Sequence, residues 1–202
     1  AYTVGDFEIT TPGGTLMEGT DYSYDKTSHE LSILSNKPIT ISMRDGVSET
    51  KTDRIVVPEV YIKSITLSGV HIDASGDQDA CAFLVKPGAI ANLTLAAGTE
   101  NSLVSGGARA GLEVSRTGAA PDEKVASVAI LGEGSLKARC GDGTGDANGA
   151  GIGGNFARSA GKIAVHGGTV EASCEAHGSG YANGAGIGGG NYGSGGEIKI
   201  TG

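Results

Sequence analysis

Tryptophan is absent, proline occurs 5 times in 202 residues, and aromatic side chains make up 4% of the chain. With so few large rings, a core must be assembled from aliphatic residues in many small contributions. No apolar run approaches the ~18 residues of a membrane-spanning helix, and no signal-peptide or lipidation pattern is present, which argues against membrane insertion. Lysine and arginine do not cluster, and the formal charge is −8, so nucleic acid and anionic membrane surfaces are poor partners. The 3 cysteines, Cys81, Cys140 and Cys174, are odd in number and lack C-x-x-C spacing, so neither a zinc site nor a disulfide framework is indicated. An amphipathic window of helical period is missing as well.

What the chain has is glycine, 36 of 202 residues, and repetition. The octapeptide ANGAGIGG occupies residues 147–154 and again 182–189, and Ile152 and Ile187 lie 35 residues apart. The alternating pairs that follow, Ile163/Val165 and Ile198/Ile200, keep that spacing, so whole supersecondary units recur. Upstream, Ile65/Leu67 precedes Leu93/Leu95 by 28 residues, and Val128/Ile130 bridges the short and long units. Residues 116–124, polar and containing Pro121, read as a looped insertion at one corner. Aligning these pairs predicts an outward row of Thr66, Thr94, Ala129, Ala164 and Lys199. A second inward series runs through Val70/Ile72, Leu103, Leu136/Ala138 and Val170/Ala172, with His71, Lys137 and Glu171 facing out. A third contains Phe83/Val85 or Leu84, then Leu112/Val114, Ile152 and Ile187.

Three short strands per unit predict an all-β parallel β-helix of about five coils. Residues 1–54, with alternating segments around Phe7, Tyr22, Leu31 and Ile39 separated by turn residues, are expected to form an N-terminal β cap. Residues 55–202 are expected to form the stack, one structural domain overall. The sequence stops partway through a repeat, so further coils of the same polypeptide are expected.

Cys140 and Cys174 share the inward parity of equivalent strands and read as a buried thiol stack. A disulfide between them is discouraged by parallel Cβ vectors. Two loops carry oxygen side chains at alternate positions, as a hard cation such as Ca2+ requires: Asp73, Asp77 and Asp79, then Asp142 and Asp146. The second resembles half an EF-hand loop, but its twelfth position falls on Gly153 instead of a bidentate Glu. Solvated turns account for the same residues. For a sugar, whose C–H faces pack on rings while its hydroxyls seek fixed partners, the candidates cluster in the repeat corners: Asn155, Phe156, His177, Tyr181, Asn183, Asn191 and Tyr192.

The runs ITLSGVHI, NLTLAAGTEN, AILGEGSLKA and GKIAVHGGTVEA, with the two AGIGG corners, resemble the right-handed parallel β-helix modules of surface proteins from Gram-positive bacteria. That resemblance covers residues 55 to the end and implies a right-handed solenoid at the extracellular face of a bacterium. It also implies a non-catalytic adhesive or carbohydrate-binding role toward a glycan or host-surface ligand, and some such modules bind calcium. Two alternatives stand beside it. One is a polysaccharide lyase-like enzyme on acidic glycans, disfavoured because no Asp cluster faces a Lys/Arg pair on the outward rows. The other is a structural stalk or spacer.

Overall fold

A computed structural model describes residues 1–59, 62–118, 121–141 and 145–201. Among the described residues there is no helix, and the strands are β1 (Tyr2–Val4), β2 (Phe7–Thr10), β3 (Tyr22–Asp25), β4 (Glu30–Ile33), β5 (Ile39–Met43), β6 (Arg54–Val57), β7 (Ile62–Leu67), β8 (His71–Asp73), β9 (Phe83–Val85), β10 (Ile90–Leu95) and β11 (Glu100–Ser105). They continue with β12 (Leu112–Val114), β13 (Arg116–Thr117), β14 (Lys124–Val125), β15 (Ser127–Gly132), β16 (Ser135–Gly141), β17 (Ile152–Gly153), β18 (Lys162–Val165), β19 (Thr169–Glu175), β20 (Ile187–Gly188) and β21 (Glu197–Ile200).

Three mostly parallel sheets result. The first runs β1-β2-β5-β7-β10-β15-β18-β21, the second β8-β11-β16-β19, and the third β3-β4-β6-β9-β12-β17-β20. From β7 onward the chain visits the three in rotation, so the connection that any parallel pair needs is supplied by the other two sheets rather than by helices. Inward residues then stack on their register partners. Ile65, Leu93, Ile130, Val165 and Ile200 form one such column, and Phe83, Leu112, Ile152 and Ile187 another.

The pairing corrects the expected outward row. Leu93 is opposite Ile130, not Val128, so the row through Ala129, Ala164 and Lys199 continues to Asn92 and Ser64, while Thr66 and Thr94 align with Leu131. A slide of two residues leaves every inward side chain inward, so alternation fixes parity but leaves that slide open. The third series settles on Phe83 and Val85, both fully buried, and Leu84 is opposite Glu113.

Parallel pairing starts upstream of residue 55, since β4 pairs with β6 and β5 with β7. Antiparallel covering is confined to β1, β2 and β3. The insertion at residues 116–124 forms a small antiparallel ladder of β13 and β14.

Polar groups also enter the interior, each with a partner. Asn101, 2% exposed, accepts the Val70 N–H at 2.9 Å and donates to the Ser135 carbonyl at 3.0 Å. Ser105 accepts the Ala82 N–H at 2.8 Å and sits directly beneath Cys140, which in turn pairs with Cys174. Lys63 lies on an inward position, in register with Ala91, and its ammonium donates to the Leu34 carbonyl. Burial lowers its pKa, because an ammonium withdrawn from water is disfavoured.

Candidate functional site

The octapeptide repeats build two adjoining corners, one before and one after the two-residue strands β17 and β20. In the first, Ala147 stacks under Ala182 through a parallel bridge, and Asn183 Nδ2 donates to Asn148 Oδ1 at 3.0 Å. In the second, Asn155 to Arg158 and Gly190 to Gly193 make equivalent turns, closed by N–H to carbonyl bonds of 3.0 and 2.8 Å. Asn191 Nδ2 reaches back to the same Asn148 Oδ1 at 3.0 Å, so one amide oxygen ties both corners together.

The rings stand on this frame. Phe156 is 47% exposed, Tyr181 72% and Tyr192 86%. Phe156 and Tyr192 meet edge to face with centroids 6.1 Å apart, although they belong to different repeats. Tyr192 adopts φ +64°, as does its repeat equivalent Ala157 at +58°, a left-handed conformation that costs a side-chain-bearing residue about 1 kcal/mol. A tyrosine at a position suited to glycine, with its ring in water, is the kind of local strain that accompanies functional surfaces.

That strain is measurable. Tyr192→Ala and Tyr192→Gly both remove the ring and its contact with Phe156, but only glycine relieves the backbone. The glycine variant is expected to be the more stable of the two by about 1 kcal/mol in urea titration; equal stabilities would mean that the turn is not strained.

The amides proposed for sugar contact are already engaged. Asn183 and Asn191 donate to Asn148, and Asn155 Nδ2 donates to Glu113 Oε1 at 3.1 Å. Glu113, 3% exposed, is further held by Arg109 Nε at 2.6 Å. The structure thus brings Asn155, Phe156, Asn191 and Tyr192 together and joins Asn183 to them through Asn148. Tyr181 is tied to the same frame through its backbone, its N–H donating to Asp146 Oδ1 at 2.8 Å and its carbonyl accepting the Ala147 N–H at 2.9 Å and Asn183 Nδ2 at 3.5 Å. The Ser173 hydrogen bond lowers the pKa of the Glu175 carboxyl, and the charges of Arg139 and then His177 add smaller lowering effects, which places His177 near Glu175. Glu113 and Arg109 were not singled out by sequence, and Asn148 stood out only as an oxygen side chain of the second acidic loop, not as part of a sugar site. Asn148 could have been found as the repeat equivalent of Asn183; the other two carry no signal before the register is known.

The acidic loops do not make a cation site among the described residues, where no group of three or more His, Cys, Asp or Glu converges. Asp73 accepts Lys51 Nζ at 3.0 Å and both the N–H and hydroxyl of Ser75. Asp77 caps the N–H of Asp79, and Asp146 serves Tyr181. These carboxylates are turn caps and an ion pair rather than open ligands, so the described donors do not fit Ca2+. Asp142 lies outside the described residues.

A second concavity, ≈ 180 Å³, lies on the outer face of β11, β16 and β19, lined by Ser102, Lys137, Arg139, Glu171, Ser173 and Glu175 among others. The two cations face the two carboxylates of the next strand, Lys137 to Glu171 at 3.5 Å and Arg139 to Glu175 at 3.0 Å. Sequence parity gave Lys137 and Glu171; Arg139 and Ser173 follow two residues on along the same face.

No family model matches the chain, no curated protein matches it, and no solved structure matches it. Among the described residues no helix is long and apolar enough to cross a membrane.

Proposed function

We propose that the chain is a right-handed parallel β-helix that acts as a non-catalytic, extracellular carbohydrate-binding or adhesive module at a bacterial surface, with the aromatic corner as its contact. Rotation of the chain through three sheets with in-register parallel pairing supports the solenoid, and the general preference of parallel crossovers for the right hand supports that handedness. The observation that carries the binding reading is the exposed Phe156–Tyr192 pair, built from two repeats and held at a strained turn above an amide-locked frame. With the Asn amides engaged internally, a sugar would stack its C–H face on these rings. Its hydroxyls would meet the tyrosine O–H groups and the Asp146 carboxylate.

A glycan array tests this. Wild-type protein is expected to bind a defined set of glycans, and Tyr181→Ala plus Tyr192→Ala to abolish that binding while the thermal transition is retained. An array without a hit overturns the reading in favour of a spacer. The lyase alternative draws support from the charged concavity alone. There each cation faces a carboxylate, which leaves no base facing open space.

A further inference from the structure

Asparagine precedes glycine at two places in the chain, Asn148-Gly149 and Asn183-Gly184, and both lie in the repeated octapeptide ANGAGIGG. That dipeptide carries a reaction of its own. The glycine nitrogen attacks the asparagine Cγ, and with no Cβ on the following residue little obstructs closure of the succinimide ring. Because the two octapeptides are identical, a difference in reactivity between them is set by the fold.

The fold holds the two copies differently. Asn148 donates its N–H to the Gly107 carbonyl at 2.6 Å, its carbonyl accepts the Asn191 N–H at 2.7 Å, and its Oδ1 accepts Asn183 Nδ2 and Asn191 Nδ2, each at 3.0 Å. Its side chain is thereby fixed toward the next repeat. Gly149 is buried, packed so closely on the preceding coil that an added Cβ would overlap the Arg109 carbonyl, and its own carbonyl is in turn approached by Gly184. The Gly149 N–H, which would have to become the nucleophile, is bonded to the Gly107 carbonyl at 3.1 Å. In the second copy Asn183 is exposed and Gly184 only partly buried. The Gly184 N–H is bonded to the Cys174 sulfur at 3.3 Å, a weaker acceptor than a carbonyl. The Asn183 side chain is tied through Nδ2, the group that leaves in the reaction, to Asn148 Oδ1 and, at 3.5 Å, to the Tyr181 carbonyl.

We propose that Asn183 is a self-modification site, converted through a succinimide to aspartate and isoaspartate while Asn148 is preserved, and that the conversion releases the corner that carries Tyr181. A bond forms between Gly184 N and Asn183 Cγ, the Cγ–Nδ2 bond breaks, and the Gly184 proton leaves with Nδ2 as ammonia. Water then opens the ring. Cleavage of the new N–Cγ bond gives aspartate, and cleavage of the original peptide bond gives isoaspartate. Each product has gained water and lost ammonia, with no change of oxidation state, and the reaction needs no ligand at the aromatic corner. Aspartate replaces the Nδ2 donor with an oxygen that faces the Asn148 Oδ1 acceptor, and it adds a negative charge to a corner that already holds Asp146. Isoaspartate lengthens the backbone by one atom next to the Ala147–Ala182 bridge.

The test is incubation of the native protein at mildly alkaline pH, beside a sample kept unfolded in guanidinium chloride, with both sites followed by peptide mapping in a mass spectrometer and by an isoaspartate assay. Unfolded, the two octapeptides should convert at equal rates. In the native protein Asn183 should convert about 10-fold faster than Asn148 or more, because the tighter copy reacts only from a less populated opened state. The variant Asn183→Asp reproduces one product. It should speed hydrogen exchange about 10-fold at the Ala147 and Asn183 amides, which bond across this corner, and leave exchange in β7 and β10 as in the wild type. Equal native rates at the two sites, or an Asn183 still intact once the unfolded chain has converted, overturns the modification. Unchanged exchange at Ala147 and Asn183 in Asn183→Asp overturns the release.

Discussion

Gly153→Ala is expected to destabilise the protein by about 4 kcal/mol and to unfold the last repeats first. Gly153 and Gly188 are register partners at the end of β17 and β20, with φ of +135° and +144°. A residue with a Cβ rarely adopts such a conformation, which costs about 1–3 kcal/mol by itself. The added Cβ would also overlap the Gly188 carbonyl, a backbone atom that cannot rotate aside as a side chain would. That carbonyl accepts the Gly154 N–H at 2.9 Å, so moving it breaks the contact between successive repeats. Two comparisons separate the contributions. Gly178→Ala, where φ is +64° and nothing lies within 4 Å of the new Cβ, carries strain without overlap and should cost about 1 kcal/mol. Gly76→Ala, with open space and no positive φ, should change stability by less than about 0.5 kcal/mol. Urea unfolding of the series gives the order, and native-state hydrogen exchange locates the loss in β18 to β21. A Gly153→Ala protein as stable as Gly76→Ala would mean that the repeats do not approach as closely as the register requires.

The same glycines show why the architecture was readable in sequence and the site much less so. Repeated AGIGG corners encode backbone approach, and the aliphatic columns encode burial. Both are local patterns of fixed period, and they anticipated the all-β chain, its parallel rungs and the inward parity of Cys140 and Cys174. What failed was the slide between neighbouring strands. Ile130 opposite Leu93 instead of Leu95 alters no side chain's face, so nothing in the alternation marks it, yet it moves Thr66 and Thr94 out of the row containing Ala129. The candidate site suffers from the same limit. Phe156, Asn191 and Tyr192 were named from clustering along the chain, and the structure brings them together. That their amides would be consumed by Asn148 and Glu113 depends on which corner stacks on which. Acidic spacing in residues 73–79 imitated a cation loop because turn caps and metal ligands draw on the same short carboxylates at the same alternate positions.

At the other end of the stack, Asp53→Ala is expected to destabilise the fold by about 3 kcal/mol, because it removes the buried acceptor shared by three part-buried groups. The Asp53 carboxylate is nearly inaccessible, at 2% exposure, and gathers three groups from distant parts of the chain. The Asp6 N–H donates at 2.6 Å, the Tyr24 hydroxyl at 2.8 Å, and His29 Nδ1 lies at 2.9 Å. Gly5, at φ +58°, leaves the space these contacts need, since a Cβ there would collide with the carboxylate and the Tyr24 ring. One acidic side chain thus joins the β1–β2 turn and the β3–β4 hairpin to the segment entering β6. Asp53→Asn keeps the shape but turns one acceptor into a donor facing other donors, and should lose about 2 kcal/mol. Alkaline titration provides an independent check. Burial first, and then the bond to Asp53, push the Tyr24 phenol above its ordinary value of 10.0. A raised pKa means that the folded state holds the proton more tightly. This contribution is complete below about pH 10 and is lost as the pH rises from there toward the folded value. Tyr24→Phe should therefore flatten the loss of stability above about pH 10 that the wild type shows. An Asp53→Ala protein with an unchanged urea midpoint, or a Tyr24→Phe protein with the wild-type alkaline limb, would show that this carboxylate does not bind the N-terminal strands to the stack.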